Sequence, residues 1–261
     1  MEQQVLVESS GGVATVTLNR PTRRNALGMQ MRDDLAKAIA IVRDDEDVKA
    51  VILTGAGSSF CSGGDLLGMP DSEPGMVRRE RVRRLHRWFS ELVNLEKPVI
   101  AAVRGAAFGA GLNLALAADF VIASSDATFS AAFGRLGLIP DLGGMYLLPR
   151  ILGLQRAKEL VFSTRVLSAT EARELGMVYR VVPADDLMPQ ARLLAERFTH
   201  ASTAAIGMAK SIMNQAFHLD AHAMAEFEAF AQAAARETSY HREAISRFAE
   251  KKPPMFGWDE P

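Results

Sequence analysis

The sequence has a single cysteine, little net charge and no long apolar run, and each of these absences excludes a class of protein. Cys61 alone cannot form an internal disulfide framework or a cysteine-rich zinc site. A formal net charge of −1 over 261 residues argues against a broad polyanion-binding surface, and therefore against nucleic acid as a partner. No apolar run reaches the roughly 18 residues that would span a membrane. We therefore expect neither a nucleic-acid nor a membrane partner.

Targeting and metal-binding signals are also missing from the sequence. The first ten residues are strand-like, contain two glutamates and show no secretory or arginine-rich transit pattern. Of the five histidines, only His218 and His222 have helical i, i+4 spacing, and the glutamate of a His-Glu-x-x-His motif is not between them. The lone cysteine suits a reducing compartment. We expect a cytoplasmic protein without a metal site.

Hydrophobic residues make up 48% of the chain and follow first strand-like and then helical patterns. Two strand-like runs separated by Ser-Ser-Gly-Gly predict a hairpin over residues 5–8 and 13–19. Helical and strand-like segments then alternate, and from residue 185 onward three or four amphipathic helices follow. Strands early and helices late indicate the α/β class with a helical C-terminal part.

Two glycine-rich corners each follow an apolar strand. Residues 99–103 form one such strand, which leads through a glycine-broken turn into a helix-favouring stretch at residues 112–118. The other corner, residues 60–66, directly follows a strand at residues 50–54. The first N–H groups of a helix lack partners and lie at the positive end of its dipole, so an oxygen that becomes anionic fits there. Taken alone, either corner is more typical of a simple chain reversal.

The two corners resemble the two signatures of the crotonase superfamily, also called the enoyl-CoA hydratase/isomerase family. The first is Ser-Ser-Phe-Cys-Ser-Gly-Gly-Asp-Leu at residues 58–66, and the second is Lys-Pro-Val-Ile-Ala-Ala-Val-Arg-Gly-Ala-Ala-Phe-Gly-Ala-Gly at residues 97–111. The resemblance extends from Val13 to the C-terminal helices. It implies a crotonase-like spiral of ββα units over residues 1–195 and a helical region, residues 196–261, that assembles a homotrimer or a dimer of trimers.

The resemblance also implies an acyl-CoA thioester as substrate, with coenzyme A entering as part of the substrate and no separate cofactor. At the matching positions, the backbone N–H groups of Gly64 and Ala110 are expected to hold the thioester carbonyl oxygen. Arg23 and Arg24 compete for the phosphates, and the family pattern favours Arg24. The expected contacts with coenzyme A are Arg24, Ala26, Ser62 and Gly64.

The choice of reaction depends on the acid/base group. Family hydratases carry two glutamates, at the positions held here by Asn113 and Phe133, and neither of these exchanges protons as a carboxylate does. Asp141 lies between a proline and Gly-Gly among apolar neighbours that raise a carboxyl pKa. The residues alone leave its role open between acid/base catalysis and helix capping. Residues 132–144, however, resemble the enoyl-CoA isomerases that include the ring-epoxide isomerases of phenylacetate degradation, in which the matching aspartate moves the proton.

The resulting hypothesis is an isomerase in which Asp141 carries a proton from C2 to C4 of a 3-enoyl-CoA, or performs a related ring-epoxide isomerisation. Three alternatives stay open. The first is a hydratase despite Asn113 and Phe133, and the second is a CoA-ester binding protein without turnover. The third is an aryl-CoA dehalogenase, because such enzymes have an aspartate nucleophile at the position of Asp141 and a histidine at that of His86. Their tryptophan partner is Phe133 here.

Several other residues have less specific expectations. Asp65 is expected to bind the backbone of its own loop. Cys61 is expected to fill space rather than act as a nucleophile, because the neighbouring sequence offers it no basic partner. No role is assigned to Arg135 or Tyr146, and residues 133–144 are expected to be irregular because of Pro140 and four glycines.

Overall fold

A computed structural model describes residues 3–68 and 74–258 of the chain. Its main sheet has six strands, numbered here in chain order along the protein: β1 (Val5–Ser10), β2 (Val13–Leu18), β3 (Ala50–Gly55), β4 (Val99–Val103), β6 (Phe120–Ser124) and β9 (Arg180–Val182). Their spatial order is β1-β2-β3-β4-β6-β9. The predicted hairpin of β1 and β2 is antiparallel, and the other neighbouring strands are parallel.

A smaller sheet contains three short strands, β5 (Ala106–Phe108), β7 (Thr128–Ser130) and β8 (Leu167–Ser168). The helices are α1 (Met29–Asp44), α2 (Gly75–Val93), α3 (Ala110–Leu116), α4 (Gly144–Leu152), α5 (Leu154–Ser163), α6 (Ala169–Glu174), α7 (Leu187–Arg197), α8 (Thr203–Met213), α9 (Ala221–Arg236) and α10 (Ser239–Ala249). Over the ranges that the structure describes, no helix is both long enough and apolar enough to cross a membrane.

Strands β3 and β4 are apolar without alternation because both of their faces are covered. Val51, Leu53 and Ala101 face a large core, whereas Ile52 and Ile100 face a smaller one formed with α7. The carboxyl ends of these two buried strands lead into the two glycine-rich corners. The sheet thus brings together two segments that are about forty residues apart in sequence.

The C-terminal helices differ from the core in how they are held. The Lys210 ammonium on α8 is buried and lies 2.7 Å from Asp119, whose carboxylate also accepts a hydrogen bond from the Val99 backbone N–H at 2.7 Å. This ion pair attaches α8 to the first residue of β4. By contrast, α9 and α10 contain no buried residue, and the Phe230 and Phe248 side chains are 74% and 82% exposed.

The structure corrects the expectation that residues 133–144 lack regular structure. Ala132–Leu136 forms one short 3-10 helix, which ends at Gly137 with φ of 67°. The left-handed conformation of Gly137 ends this helix before the proline, so only the following residues are irregular. Helix α4 then begins at Gly144, with Gly143 as its N-cap.

Candidate active site

The two glycine-rich corners lie backbone to backbone. The Cys61 N–H donates to the Ala106 carbonyl, the Phe108 N–H donates to the Cys61 carbonyl, and both distances are 3.0 Å. A Cβ on Gly63 would lie 2.8 Å from the Phe108 oxygen and 3.7 Å from the Ala110 nitrogen. Only glycine fits at such a contact, so the small residues of both signatures allow the close approach.

The backbone nitrogen of Ala110 therefore lies next to the Gly63–Gly64 segment. Ala110 is the first residue of α3, where an N–H has no intrahelical acceptor. Among the described residues, neither the Gly64 N–H nor the Ala110 N–H donates a backbone hydrogen bond. Two neighbouring unpaired donors, one of them at a helix N-terminus, are suited to bind an oxygen that gains negative charge.

The loop at residues 21–27 packs against the first corner. The Ser62 N–H donates to the Arg24 carbonyl at 2.9 Å, and the Leu27 N–H donates to the Gly63 carbonyl at 2.8 Å. Ala26 is buried in this loop. The structure thus brings all four predicted coenzyme A contacts into one surface next to Ala110.

Asp65 was expected to bind the backbone of its own loop, but the structure shows contacts with two arginines of an earlier segment. Its buried carboxylate forms ion pairs with Arg20 and, at 3.2 Å, with Arg23. Hydrogen bonds from these guanidinium groups, chiefly that of Arg20, lower the pKa of Asp65. The Arg23 guanidinium is therefore held against the protein, whereas the Arg24 side chain is exposed.

Asp141 lies in the loop between the 3-10 helix and α4. Its side chain does not cap α4. The N-cap residue of this helix is Gly143, and the helix has no side-chain cap hydrogen bond. Burial raises the pKa of the Asp141 carboxyl, and the positive charges of Arg32 and His86 partly offset this effect. The loop is strained, since the buried Leu142 has φ of 47°, a conformation that costs a non-glycine residue about 1–2 kcal/mol. A half-buried carboxyl with a raised pKa on a strained loop is typical of an acid/base group.

Asn113 and Phe133 both line this region. The Asn113 Nδ2 donates to the Asp141 carbonyl at 2.6 Å, so the Asp141 loop is attached to the helix that begins with Ala110. A Cβ on Gly109 would lie 3.8 Å from the ring of Phe133. The positions at which hydratases carry glutamates are thus close to the paired corners, but they hold an amide and a phenyl ring.

Arg32 is a site residue that the sequence did not reveal. It lies three residues before the buried Leu35, so it continues the buried stripe of α1. This position on the helix is the sequence signal that could have indicated a partly buried arginine. Its Nε donates to the Leu27 carbonyl at 2.9 Å. Burial lowers the pKa of this guanidinium, and the Asp141 charge opposes that shift. Arg32 therefore acts electrostatically on Asp141 while contacting the loop that pairs with Gly63.

A cavity of about 550 Å³ lies beside Arg32 between α1 and α2. Met76, Leu85 and Trp88 give it an apolar wall, and Arg81 and Arg84 are among its charged residues. The adjacent Phe89 packs closely on the Asp141 loop, because a Cβ on Gly143 would lie 2.3 Å from its ring. Helix α2 therefore lines the cavity with Leu85 and Trp88 and contacts the Asp141 loop with Phe89.

The side chains of Cys61, Arg135 and Tyr146 have structural surroundings that differ from those of Asp141. Burial raises the pKa of the Cys61 thiol to about 12, so it stays protonated and fills space, as expected from the sequence. The exposed Arg135 donates to the Thr164 carbonyl at 2.8 Å. Tyr146 stacks on His218, with 5.7 Å between the ring centroids, and so contacts the segment after α8. Over the described part of the chain, no group of three or more His, Cys, Asp or Glu side chains could hold a metal ion.

Comparisons with known proteins agree with this architecture. Residues 8–259 match the family model described as enoyl-CoA hydratase/isomerase. An Escherichia coli relative named 1,2-epoxyphenylacetyl-CoA isomerase is 38% identical, over 98% of this chain and 99% of its own. A Rhodobacter capsulatus relative named probable enoyl-CoA hydratase is 37% identical, over 95% of this chain and 96% of its own.

A solved structure gives the same result for the fold. The enoyl-CoA hydratase/isomerase from Cupriavidus metallidurans CH34 superposes with a TM-score of 0.93 at 41% identity, covering 99% of this chain and 98% of that one. The crotonase-like α/β fold predicted from the two signatures is therefore confirmed, as is the resemblance to the ring-epoxide isomerase branch. The chain belongs to the enoyl-CoA hydratase/isomerase family, the crotonase superfamily.

Proposed function

We propose that this protein is an enoyl-CoA isomerase that converts a 3-enoyl-CoA to the conjugated 2-enoyl-CoA, or performs a related ring-epoxide isomerisation. The N–H groups of Gly64 and Ala110 bind the thioester oxygen and stabilise the enolate that forms when C2 loses a proton. Asp141 takes that proton and returns it to C4. A single carboxylate suffices, because the same proton is removed and replaced.

The observation that carries this proposal is the state of Asp141. Its carboxyl is half-buried, is not used as a helix cap and has a raised pKa, so it can exchange a proton near neutral pH more readily than an ordinary aspartate. With an amide at position 113 and a phenyl ring at position 133, both carboxylates are missing from the positions used by hydratases. The similarity to the E. coli ring-epoxide isomerase adds support.

The test follows the ultraviolet absorbance of the conjugated enoyl thioester. Addition of a 3-enoyl-CoA should raise this absorbance, and addition of a 2-enoyl-CoA should not lower it. The Asp141→Asn variant should bind a saturated acyl-CoA normally and lose isomerisation. A fall with the 2-enoyl-CoA would instead indicate a hydratase, and silence with both substrates would leave a CoA-ester binding protein or a dehalogenase.

The dehalogenase alternative has one observation in its favour. His86 on α2 interacts electrostatically with the Asp141 carboxylate, and such enzymes have a histidine at this position on the preceding helix. Phe133 weakens the match, because a tryptophan is expected there. Release of chloride from 4-chlorobenzoyl-CoA would establish this reaction in place of the isomerase.

Coenzyme A itself is expected to lie along the loop at residues 21–27. The exposed Arg24 guanidinium would contact the phosphates, with Ala26, Ser62 and Gly64 along the pantetheine arm. The Arg24→Gln variant should therefore bind an acyl-CoA more weakly and bind the matching acyl-pantetheine, which lacks the nucleotide phosphates, as well as the wild type does. Equal affinity of this variant for the acyl-CoA would rule out the contact.

The region of residues 196–261 is proposed to assemble the chain into a homotrimer or a dimer of trimers. Its helices α9 and α10 expose large apolar side chains, including Phe227, Phe230 and Phe248, which a second copy would cover. Light scattering should give a multiple of three chains, and Phe230→Glu should lower that number. A wild-type monomer would contradict the proposal.

A further inference from the structure

The feature that carries a further inference is the side chain of Asn113, which is 0% exposed. It lies on α3, one turn after Ala110. Its Nδ2 donates to the main-chain carbonyl of Asp141 at 2.6 Å, and the Gly144 N–H donates to the same carbonyl at 3.2 Å. The backbone of Asp141 is thus fixed to the helix whose first N–H faces the candidate oxyanion site.

The Asn113 amide also fits closely against the beginning of α4. A Cβ on Gly144 would lie 2.5 Å from the Asn113 Nδ2 and 2.9 Å from its Cγ. Between Asp141 and Gly144 the chain passes through two left-handed residues, Leu142 with φ of 47° and Gly143 with φ of 76°. Such a turn keeps its shape only where its surroundings restrain it, and the Asn113 amide supplies one of these restraints.

The other end of the amide argues that packing alone does not explain Asn113. Its Oδ1 is buried and has no hydrogen-bond partner among the described residues. An unpaired buried acceptor destabilises the folded state, so an apolar side chain would serve packing better at this position. The donor end, which contacts Asp141, is the part of the side chain that has a defined role.

We propose that Asn113 is a positioning residue that sets the place of the Asp141 carboxylate relative to the thioester. The inference rests on the proposed function, because it assigns Asn113 to the same proton transfer. At a position where family hydratases carry a glutamate, this protein has Asn113, and its amide binds the main-chain carbonyl of Asp141. The charged groups that face Asp141 are Arg32 on α1 and His86 on α2, and a change at Asn113 leaves both in place.

The experiment compares Asn113→Ala with Leu116→Ala. Leu116 is a buried residue one turn further along α3, so its truncation removes packing without touching the Asp141 carbonyl. For Asn113→Ala we expect kcat with a 3-enoyl-CoA to fall about 10- to 100-fold while KM changes little, because a displaced proton acceptor slows chemistry and not binding. Leu116→Ala should lose thermal stability and retain kcat.

The pH profile of kcat adds a readout that a packing role would not move. A carboxyl released from its place gains water, so its pKa should fall toward the ordinary range and the acidic limb of Asn113→Ala should move to lower pH. If Asn113→Ala does not fold, Asn113→Val fills most of the space without a donor and should show the same loss. Equal kcat losses in the Asn113 and Leu116 variants, or an unmoved acidic limb, would overturn the proposal.

Failure of the proposed function would be recognised separately. If Asp141→Asn still isomerises, the assignment of Asp141 is wrong whatever Asn113 does. If the wild type isomerises no enoyl-CoA, the titration of the Asp141 carboxyl ¹³C resonance, assigned by its loss in Asp141→Asn, takes the place of the rate. A lower pKa in Asn113→Ala but not in Leu116→Ala would then support the positioning role, and identical titrations would exclude it.

Discussion

Replacement of Ala110 by proline would remove one of the two proposed oxyanion donors while leaving the fold intact. Ala110 is the first residue of α3, where proline is well tolerated because the N–H has no intrahelical acceptor. The first intrahelical hydrogen bond, from the Asn113 N–H to the Gly109 carbonyl at 3.2 Å, does not involve the Ala110 nitrogen. Ala110→Pro therefore deletes the proposed oxyanion donor with little expected cost to stability.

The expected loss of activity is that of removing one of two hydrogen-bond donors to the oxyanion. With Gly64 as the other donor, loss of Ala110 N–H should cost about 2.7–4 kcal/mol of transition-state stabilisation, or about 100- to 1000-fold in kcat. The assay is the rise in conjugated enoyl absorbance, with circular dichroism and thermal melting to establish folding.

A matched control is available at the start of α9. Ala221 is also a first helical residue, and the Asp220 cap accepts from the N–H groups of His222 and Ala223 and not from that of Ala221. Ala221→Pro should therefore retain full activity. If a folded Ala110→Pro variant keeps kcat/KM within about fivefold of the wild type, the Ala110 N–H is not an oxyanion donor.

Three further predictions concern charge. Burial raises the pKa of Asp141, and its ionised form is the proposed base. Activity should therefore be lost as pH falls through a value above the ordinary aspartate range. An acidic limb of kcat/KM at or below about pH 4 would contradict this. Arg32→Gln removes a positive charge that favours the Asp141 carboxylate, so the acidic limb should move to higher pH; a shift to lower pH would refute the role of Arg32. Lys210→Met removes the buried ammonium that binds the Asp119 carboxylate and should lower the free energy of unfolding by about 2 kcal/mol, measured by urea denaturation; an unchanged midpoint would contradict the importance of this ion pair.

The sequence predicted the elements whose patterns are local. Strands β3 and β4 are continuous apolar runs because both of their faces are covered. Strand β5 was missed, because its three residues lie between glycines and pair only with distant segments. Such a strand leaves no periodic signal.

Within the candidate site, the sequence located the glycine corners and Asp141 through motif resemblance, and it missed the contacts that depend on distant partners. The ion pairs of Asp65 join it to Arg20 and Arg23, more than forty residues earlier, so the earlier expectation of a local backbone contact was wrong. The link from Asn113 to Asp141 spans 28 residues and involves a main-chain carbonyl, which no side-chain pattern reveals.

The Asp119 carboxylate has a consequence for how this chain tolerates shortening. It binds both the first N–H of β4 and the ammonium of Lys210 on α8, so the strand that leads to the second glycine-rich corner and the first C-terminal helix share one carboxylate. A protease cut ahead of α8 would remove the counter-charge of that carboxylate at the start of β4. Removal of the C-terminal helices should therefore disturb the start of β4 and the glycine-rich corner that follows this strand, in addition to dissociating any assembly that those helices hold together.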